Sequence, residues 1–153
     1  GSLNKHRHEL EGINSRMDGI QAAVLLTKLG HIDDWNKKRR DIAQQYAELL
    51  EGLDGVIAPC VRDCSEHVYH LYVVRARNRE ALIRRLDSED IGFGIHYPVA
   101  LPFLKAYEYL GHLPNDFPIA HQYQSEILSL PMYPEMADKM IQVVAREVAG
   151  VCQ

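Results

Sequence analysis

Residues Gly12 to Ala22, Gly-Ile-Asn-Ser-Arg-Met-Asp-Gly-Ile-Gln-Ala, place groups suited to anion chemistry directly ahead of an amphipathic helix. The Asn14 amide can donate to phosphate oxygens without adding a charge, and the helix N-terminus behind it supplies partial positive charge. The alternative for Asn14 is a turn or a helix cap. Arg16 can take a phosphate or carboxylate in its planar fork, or form an ion pair at an interface. Further along, His96-Tyr97-Pro98 closes a short strand-like stretch. Proline cannot continue a ladder, so such an end displays polar side chains into a cleft. An imidazole there can hydrogen-bond a ligand or carry a proton near neutral pH, although a lone histidine is more often structural. Cys60, Cys64, His67 and His70 gather soft and imidazole ligands, but without the paired two-residue spacing of a zinc ribbon. They predict free thiols on a loop and no metal site.

The elements that must hold these groups follow from periodicity. Ile20, Ala23, Val24, Leu26 and Leu29 recur at helical spacing, with Asp18 or Ser15 as N-cap and Gly30 as stop. A second helix, about Ile32 to Leu50, directs Ile32, Trp35, Ile42, Tyr46, Leu49 and Leu50 toward a partner and ends at Glu51-Gly52. His67 to Ala76 is rich in β-branched and aromatic residues and reads as the best strand. A helix over about Arg79 to Glu89 follows, then a short strand over Asp90 to Ile95. In that strand Gly92 and Gly94 permit a bulge or close backbone approach. Phe103 to Leu110 and Ile119 to Leu128 read as short helices, Ser129 to Pro134 as a proline-bounded turn, and Ala137 to Val148 as a final helix. In the final helix Met140, Ile141, Val144 and Val148 form the apolar side.

These elements predict an α+β fold, a short and mainly antiparallel sheet backed by helices and preceded by a long helical segment. The expected organisation is an arm over 1–17, helices over 18–52 and an α+β domain over 53–153. The arm is polar and short of apolar partners, so it is expected to rest on something outside this chain. With 153 residues, 46% hydrophobic and 25% charged, one globular core is within reach and disorder is not expected. A net charge of -4 gives no bulk attraction for nucleic acid. The basic runs Lys37 to Arg40 and Arg84-Arg85 read as solvated helix faces. No apolar run approaches the ~18 residues of a membrane span, and no signal-peptide core stands near the start. The expectation is a soluble, cytoplasmic protein.

Several segments, taken in order, resemble the DegT-type family of pyridoxal-phosphate sugar aminotransferases. They are Gly12-Ile13-Asn14-Ser15-Arg16-Met17-Asp18 leading to Gln21-Ala22-Ala23, then Arg40 with Ala43 and Tyr46, then His67-Val68-Tyr69-His70-Leu71-Tyr72. Gly94-Ile95-His96-Tyr97-Pro98, Ala106-Tyr107 and Ser129-Leu130-Pro131-Met132-Tyr133-Pro134 follow. The resemblance covers essentially the whole chain. It implies the C-terminal small-domain portion of a fold-type I enzyme that works as a homodimer and moves an amino group from glutamate to a keto-sugar nucleotide.

By this resemblance Asn14 reaches across the dimer toward the cofactor phosphate of the neighbouring subunit, and Arg16, by its own chemistry, is taken as a second cofactor-binding residue beside the ion-pair alternative. His96 and Tyr97 lie on the sugar-nucleotide side, and Lys5 in the arm borders the neighbour's substrate site. The chain departs from the family after Pro98. Where many members have Pro-Leu-His-Leu-Gln, it reads Ala100-Leu101-Pro102-Phe103-Leu104. Transamination also needs an amine and a carboxylate at the pyridine nitrogen. The family draws both from a preceding large domain. Lys28, Lys37, Lys38, Lys105 and Lys139 all fall on predicted helices, outside the Ser-rich setting of the Schiff-base lysine. The chain alone is therefore expected to be inactive and not to bind pyridoxal phosphate, and its partner is expected to be that N-terminal domain. Two alternatives remain at this point: a non-catalytic dimerisation module derived from the family, or part of a related sugar dehydratase.

Overall fold

The computed structural model describes Ile13 and residues 16–151, so Lys5 and Asn14 lie outside the described residues. The chain divides into two compact units, one ending at Asp33 and the other running from Asp34. In the first, α1 (Gly19–Leu29) opens on a reciprocal cap. The Asp18 carboxylate accepts from Gln21 N–H at 2.8 Å, and Gln21 Oε1 accepts from Asp18 N–H at 3.3 Å. Two donors left over at the helix start are thereby satisfied. No residue of α1 is buried, and Ile20 is 80% exposed.

The second unit holds the core. From α2 (Ile32–Leu50), Ile42, Ala43, Tyr46 and Leu50 are buried at helical spacing. Among the described residues the sheet has three antiparallel strands in the order β1 (Val56–Ile57), β2 (Tyr72–Ala76), β3 (Ile127–Leu130). Between β2 and β3 run α3 (Arg79–Ser88) and the short α4 (Pro118–Tyr123), and α5 (Asp138–Ala149) follows β3. Asn78 caps α3 by accepting from Ala81 N–H at 3.2 Å.

Alternation along β2 places Tyr72, Val74 and Ala76 in the core. They meet Leu82 and Leu86 of α3 and Ile141, Val144, Ala145 and Val148 of α5 in one cluster. Leu130 and Leu128 pair with Tyr72 and Val74, whereas Ser129 pairs with Val73 and so shares the opposite face. Charge links the helices behind the sheet, because Arg85 of α3 and Arg146 both hold the buried carboxylate of Glu147 on α5.

Several expectations need correction. The segment Ile119 to Leu128 is not one helix, since α4 ends at Tyr123 and Ile127 and Leu128 belong to β3. Ser129 and Leu130 likewise extend that strand rather than a turn. The strand expected over His67 to Ala76 begins only at Tyr72. Tyr69 has φ +48°, outside the extended region, and its carbonyl and that of His70 accept from Arg39. Asp90 to Ile95 forms no regular strand but a single bridge, Gly94 to Ser129. Phe103 to Leu110 is built of 3-10 turns, Leu101–Phe103 and Lys105–Leu110, and the strand Val56–Ile57 was not expected. In α2, Leu49 is exposed and Ala43 takes a core position.

Candidate functional site

The His96 side chain is placed by the far edge of β3. Gly94 N–H donates to Ser129 O at 3.1 Å and Ser129 N–H to Gly94 O at 2.7 Å, which continues the sheet by one residue pair. Ser129 points away from the core, and its Oγ lies 2.9 Å from His96 Nδ1. The imidazole folds back over Gly94. A Cβ at that position would stand 2.5 Å from His96 Cε1, so the close approach anticipated for Gly94 is a steric requirement of the ring position. The Tyr97 ring meets the imidazole edge-on, centroids 5.6 Å apart, and is 72% exposed.

His96, Gly94 and Ser129 line a cavity of 660 Å³ between the 90–94 segment and α5. Its walls are largely apolar, from Ile91, Phe93, Met136, Met140, Val143 and Val144, with Lys139 and Asp90 as charged members. Met140, expected on the core side of the last helix, is exposed and faces this cavity. An apolar hollow with a few convergent polar groups is the usual form of a ligand site. On the other side of Pro98, Tyr97, Leu101, Leu104, Tyr123 and Gln124 line a second hollow of 420 Å³. Gln124 Oε1 there accepts from Ala100 N–H at 2.9 Å, which anchors the segment that departs from the family pattern.

The supporting residues are polar groups with long sequence reach. Arg39 Nη1 donates to the carbonyls of Met132, Tyr69 and His70 at 2.9, 3.2 and 3.3 Å, which ties α2 to the turn after β3 and to the approach to β2. The Tyr46 hydroxyl donates to Pro131 O at 3.1 Å and meets Met136 Sδ at 3.8 Å. Burial pushes the Tyr46 phenol far above its usual range and the Tyr72 phenol up to about 12.

Of the residues singled out from sequence, the structure brings His96 and Tyr97 together beside Ser129. Arg16 is exposed two residues before the α1 cap, in the first unit, while Asn14 and Lys5 are outside the described residues. Cys60 and Cys64 are exposed thiols, and His67 Nδ1 accepts from Tyr69 N–H at 2.8 Å. Among the described residues no group of three or more His, Cys, Asp or Glu side chains could hold a metal ion, and no helix is long and apolar enough to cross a membrane. Ser129, Gln124 and Arg39 were not identified as site residues from sequence. The alternation Leu128-Ser129-Leu130 was the available signal for Ser129.

The match with known proteins decides the family. The model of the DegT/DnrJ/EryC1/StrS aminotransferase family matches residues 1–149. The chain belongs to this family. It is 40% identical over 137 residues to the erythromycin biosynthesis sensory transduction protein EryC1 of Saccharopolyspora erythraea, spanning 90% of this chain and 37% of that protein. To the dTDP-3-amino-3,6-dideoxy-alpha-D-galactopyranose transaminase of Aneurinibacillus thermoaerophilus it is 39% identical over 148 residues, spanning 97% of this chain and 40% of the relative. The crystal structure of S. venezuelae DesV in complex with a ketimine intermediate superposes with a TM-score of 0.90 at 34% identity, over 99% of this chain and 41% of that one. The chain thus spans about two fifths of the length of these relatives.

Family membership implies pyridoxal phosphate, which needs an amine, a carboxylate at the ring nitrogen and several donors for the phosphate. The described residues do not supply the amine and the ring-nitrogen carboxylate of that set. Lys37 and Lys38 pair with Asp41 and Asp34 on the surface of α2. Lys139 is exposed at the rim of a largely apolar cavity that gathers no cluster of phosphate donors.

Proposed function

We propose that this chain is the C-terminal portion of a pyridoxal-phosphate-dependent aminotransferase that transfers an amino group from glutamate to a keto-sugar nucleotide. The observation that carries the reading is the near chain-long match to a dTDP-sugar transaminase, 97% of this chain at 39% identity. That the described residues do not supply the amine and the ring-nitrogen carboxylate supports a division of labour. The amine and the carboxylate partner come from a segment outside this chain, and this portion contributes contacts around them. Asn14 and Arg16 contact the cofactor phosphate of the neighbouring subunit in a homodimer. His96, Tyr97 and Lys5 border the sugar nucleotide, with His96 at the rim of the 660 Å³ cavity.

The test compares the chain alone with the same chain joined to a DegT-type large domain. The joined protein is expected to convert a dTDP-linked keto-sugar with glutamate as donor, and Asn14→Ala in it is expected to weaken cofactor affinity about tenfold, the loss of one good hydrogen bond. The chain alone is expected to give no shifted cofactor absorbance band when titrated with pyridoxal phosphate. A stable bound band from the chain alone overturns the division of labour. A joined protein that binds cofactor but turns over no sugar nucleotide overturns the substrate assignment.

A further inference from the structure

The partner of Ser129 determines what kind of hydrogen bond His96 offers a ligand. Ser129 is 4% exposed and has its N–H and C=O committed to Gly94. Among the described residues its hydroxyl has one partner, His96 Nδ1 at 2.9 Å. A hydroxyl has a hydrogen to place as well as lone pairs, and a buried hydrogen without an acceptor is costly. If Nδ1 carried a proton and donated to Oγ, the Ser129 hydrogen would have no acceptor among the described residues. The arrangement that satisfies both groups has Ser129 donating to an unprotonated Nδ1, which leaves the imidazole proton on Nε2.

Gly94 holds the ring in that arrangement from the other side. The 2.5 Å approach to a Cβ at position 94 means that any side chain there must push the imidazole away from Ser129. Nε2 has no protein partner among the described residues, and His96 is exposed at the rim of the 660 Å³ cavity.

We propose that Ser129 and Gly94 are positioning residues that lock neutral His96 as its Nε2–H tautomer, so that His96 offers a hydrogen-bond donor, and not a base, to an acceptor oxygen of the sugar nucleotide. The ligand in this statement rests on the proposed function; the tautomer does not. The lock explains two residue choices together. Ser129 is a polar residue between two core leucines, and Gly94 carries no side chain although its φ does not demand glycine.

The test reads the tautomer directly. In a nitrogen–proton correlation spectrum of the 153-residue chain, at a pH where imidazole is neutral, His96 Nδ1 is expected in the unprotonated range and Nε2 in the protonated range. Ser129→Ala and Gly94→Ala are each expected to move both nitrogens toward the averaged values of an exchanging imidazole, and Ser129→Thr to restore the wild-type pattern. In the joined enzyme, Ser129→Ala is expected to raise KM for the sugar nucleotide about tenfold, with kcat within about twofold and KM for glutamate unchanged. A protonated Nδ1 in the wild-type chain overturns the inference, with no need for any variant to fold. A locked tautomer in Ser129→Ala overturns it as well. If the tautomer responds as stated while His96→Ala leaves KM for the sugar nucleotide unchanged, the lock stands and the assignment of His96 to the substrate falls.

Discussion

Arg85 on α3 and Glu147 on α5 join the two helices behind the sheet, with Arg85 Nε 2.8 Å from Glu147 Oε2. Arg146 takes the other carboxylate oxygen, also at 2.8 Å. The carboxylate is 3% exposed, whereas the arginine side chains are 45% and 70% exposed. The asymmetry decides which substitution does more harm. Glu147→Gln leaves two guanidinium groups that water can reach, but removing both arginines strands a buried charge. The Arg85→Ala, Arg146→Ala double variant is expected to lower Tm by roughly twice as much as Glu147→Gln, as measured by calorimetry. Equal losses would show that packing, and not charge, dominates this contact.

The same pair sets an acid limb. Hydrogen bonding from Arg146, and then from Arg85, holds the Glu147 carboxyl below the usual carboxylate range. A group whose folded pKa is depressed contributes its full stability above the unfolded value, near 4.3, and loses it as pH falls through the folded value. Stability is therefore expected to decline below about pH 4, and Glu147→Gln is expected to flatten that part of the curve. Urea unfolding at several acid pH values checks this, and an unchanged slope in the variant would remove Glu147 from the account.

Arg39 is expected to matter for the segment before β2. Its Nη1 serves the carbonyls of Tyr69, His70 and Met132. Hydrogen bonds from a charged donor are stronger than neutral ones, so Arg39→Ala is expected to cost about 2 kcal/mol. Hydrogen exchange should speed up in residues 67–71 and 131–134 first. Arg39→Lys keeps the charge, but its ammonium ends one bond short of the Nη1 position, and it is expected to restore less than half of the loss. Full rescue by lysine would mean that charge alone holds these carbonyls.

The helices were legible because each repeats a local signal many times, as Ile42, Tyr46 and Leu50 do in α2 and Ile141, Val144 and Val148 do in α5. The strands were less so. Ile119, Ala120, Tyr123, Ile127 and Leu128 continue a helical spacing on paper, yet a turn over Gln124 to Glu126 breaks it and Ile127–Leu130 pairs with β2. His67 to Leu71 has strand composition, but the carbonyls of Tyr69 and His70 go to Arg39 from α2, a partner that only tertiary structure supplies. The site divides along the same line. His96 was legible from its motif, whereas Ser129, 33 residues later in the chain, becomes its partner only when Gly94 bridges to β3.

The buried phenols set an alkaline limb. Burial raises Tyr72 to about 12 and Tyr46 further still. Both groups fold neutral, so their contribution is complete below the unfolded tyrosine value of about 10 and is lost as pH rises through the folded values. Unfolding is expected to become favourable between about pH 10 and 12. Phenolate absorbance should rise in step with loss of helical circular dichroism. Phenolate absorbance that completed its rise with the helices intact would contradict the burial of these hydroxyls.

Tyr46 and Tyr72 also make opposite predictions for the same substitution. Their rings lie 5.0 Å apart in the core, and each side chain is essentially inaccessible. The Tyr46 hydroxyl donates to Pro131 O, so Tyr46→Phe leaves that carbonyl without its phenolic donor and is expected to cost about 1 kcal/mol. The Tyr72 hydroxyl is buried and has no hydrogen-bond partner among the described residues. Removing it discards an uncompensated desolvation, so Tyr72→Phe is expected to be neutral or stabilising by up to about 1 kcal/mol. Urea midpoints of the two single variants decide the matter, since area burial and ring packing are nearly the same in both exchanges. A loss at Tyr72 equal to that at Tyr46 would show that its hydroxyl is satisfied in the folded protein.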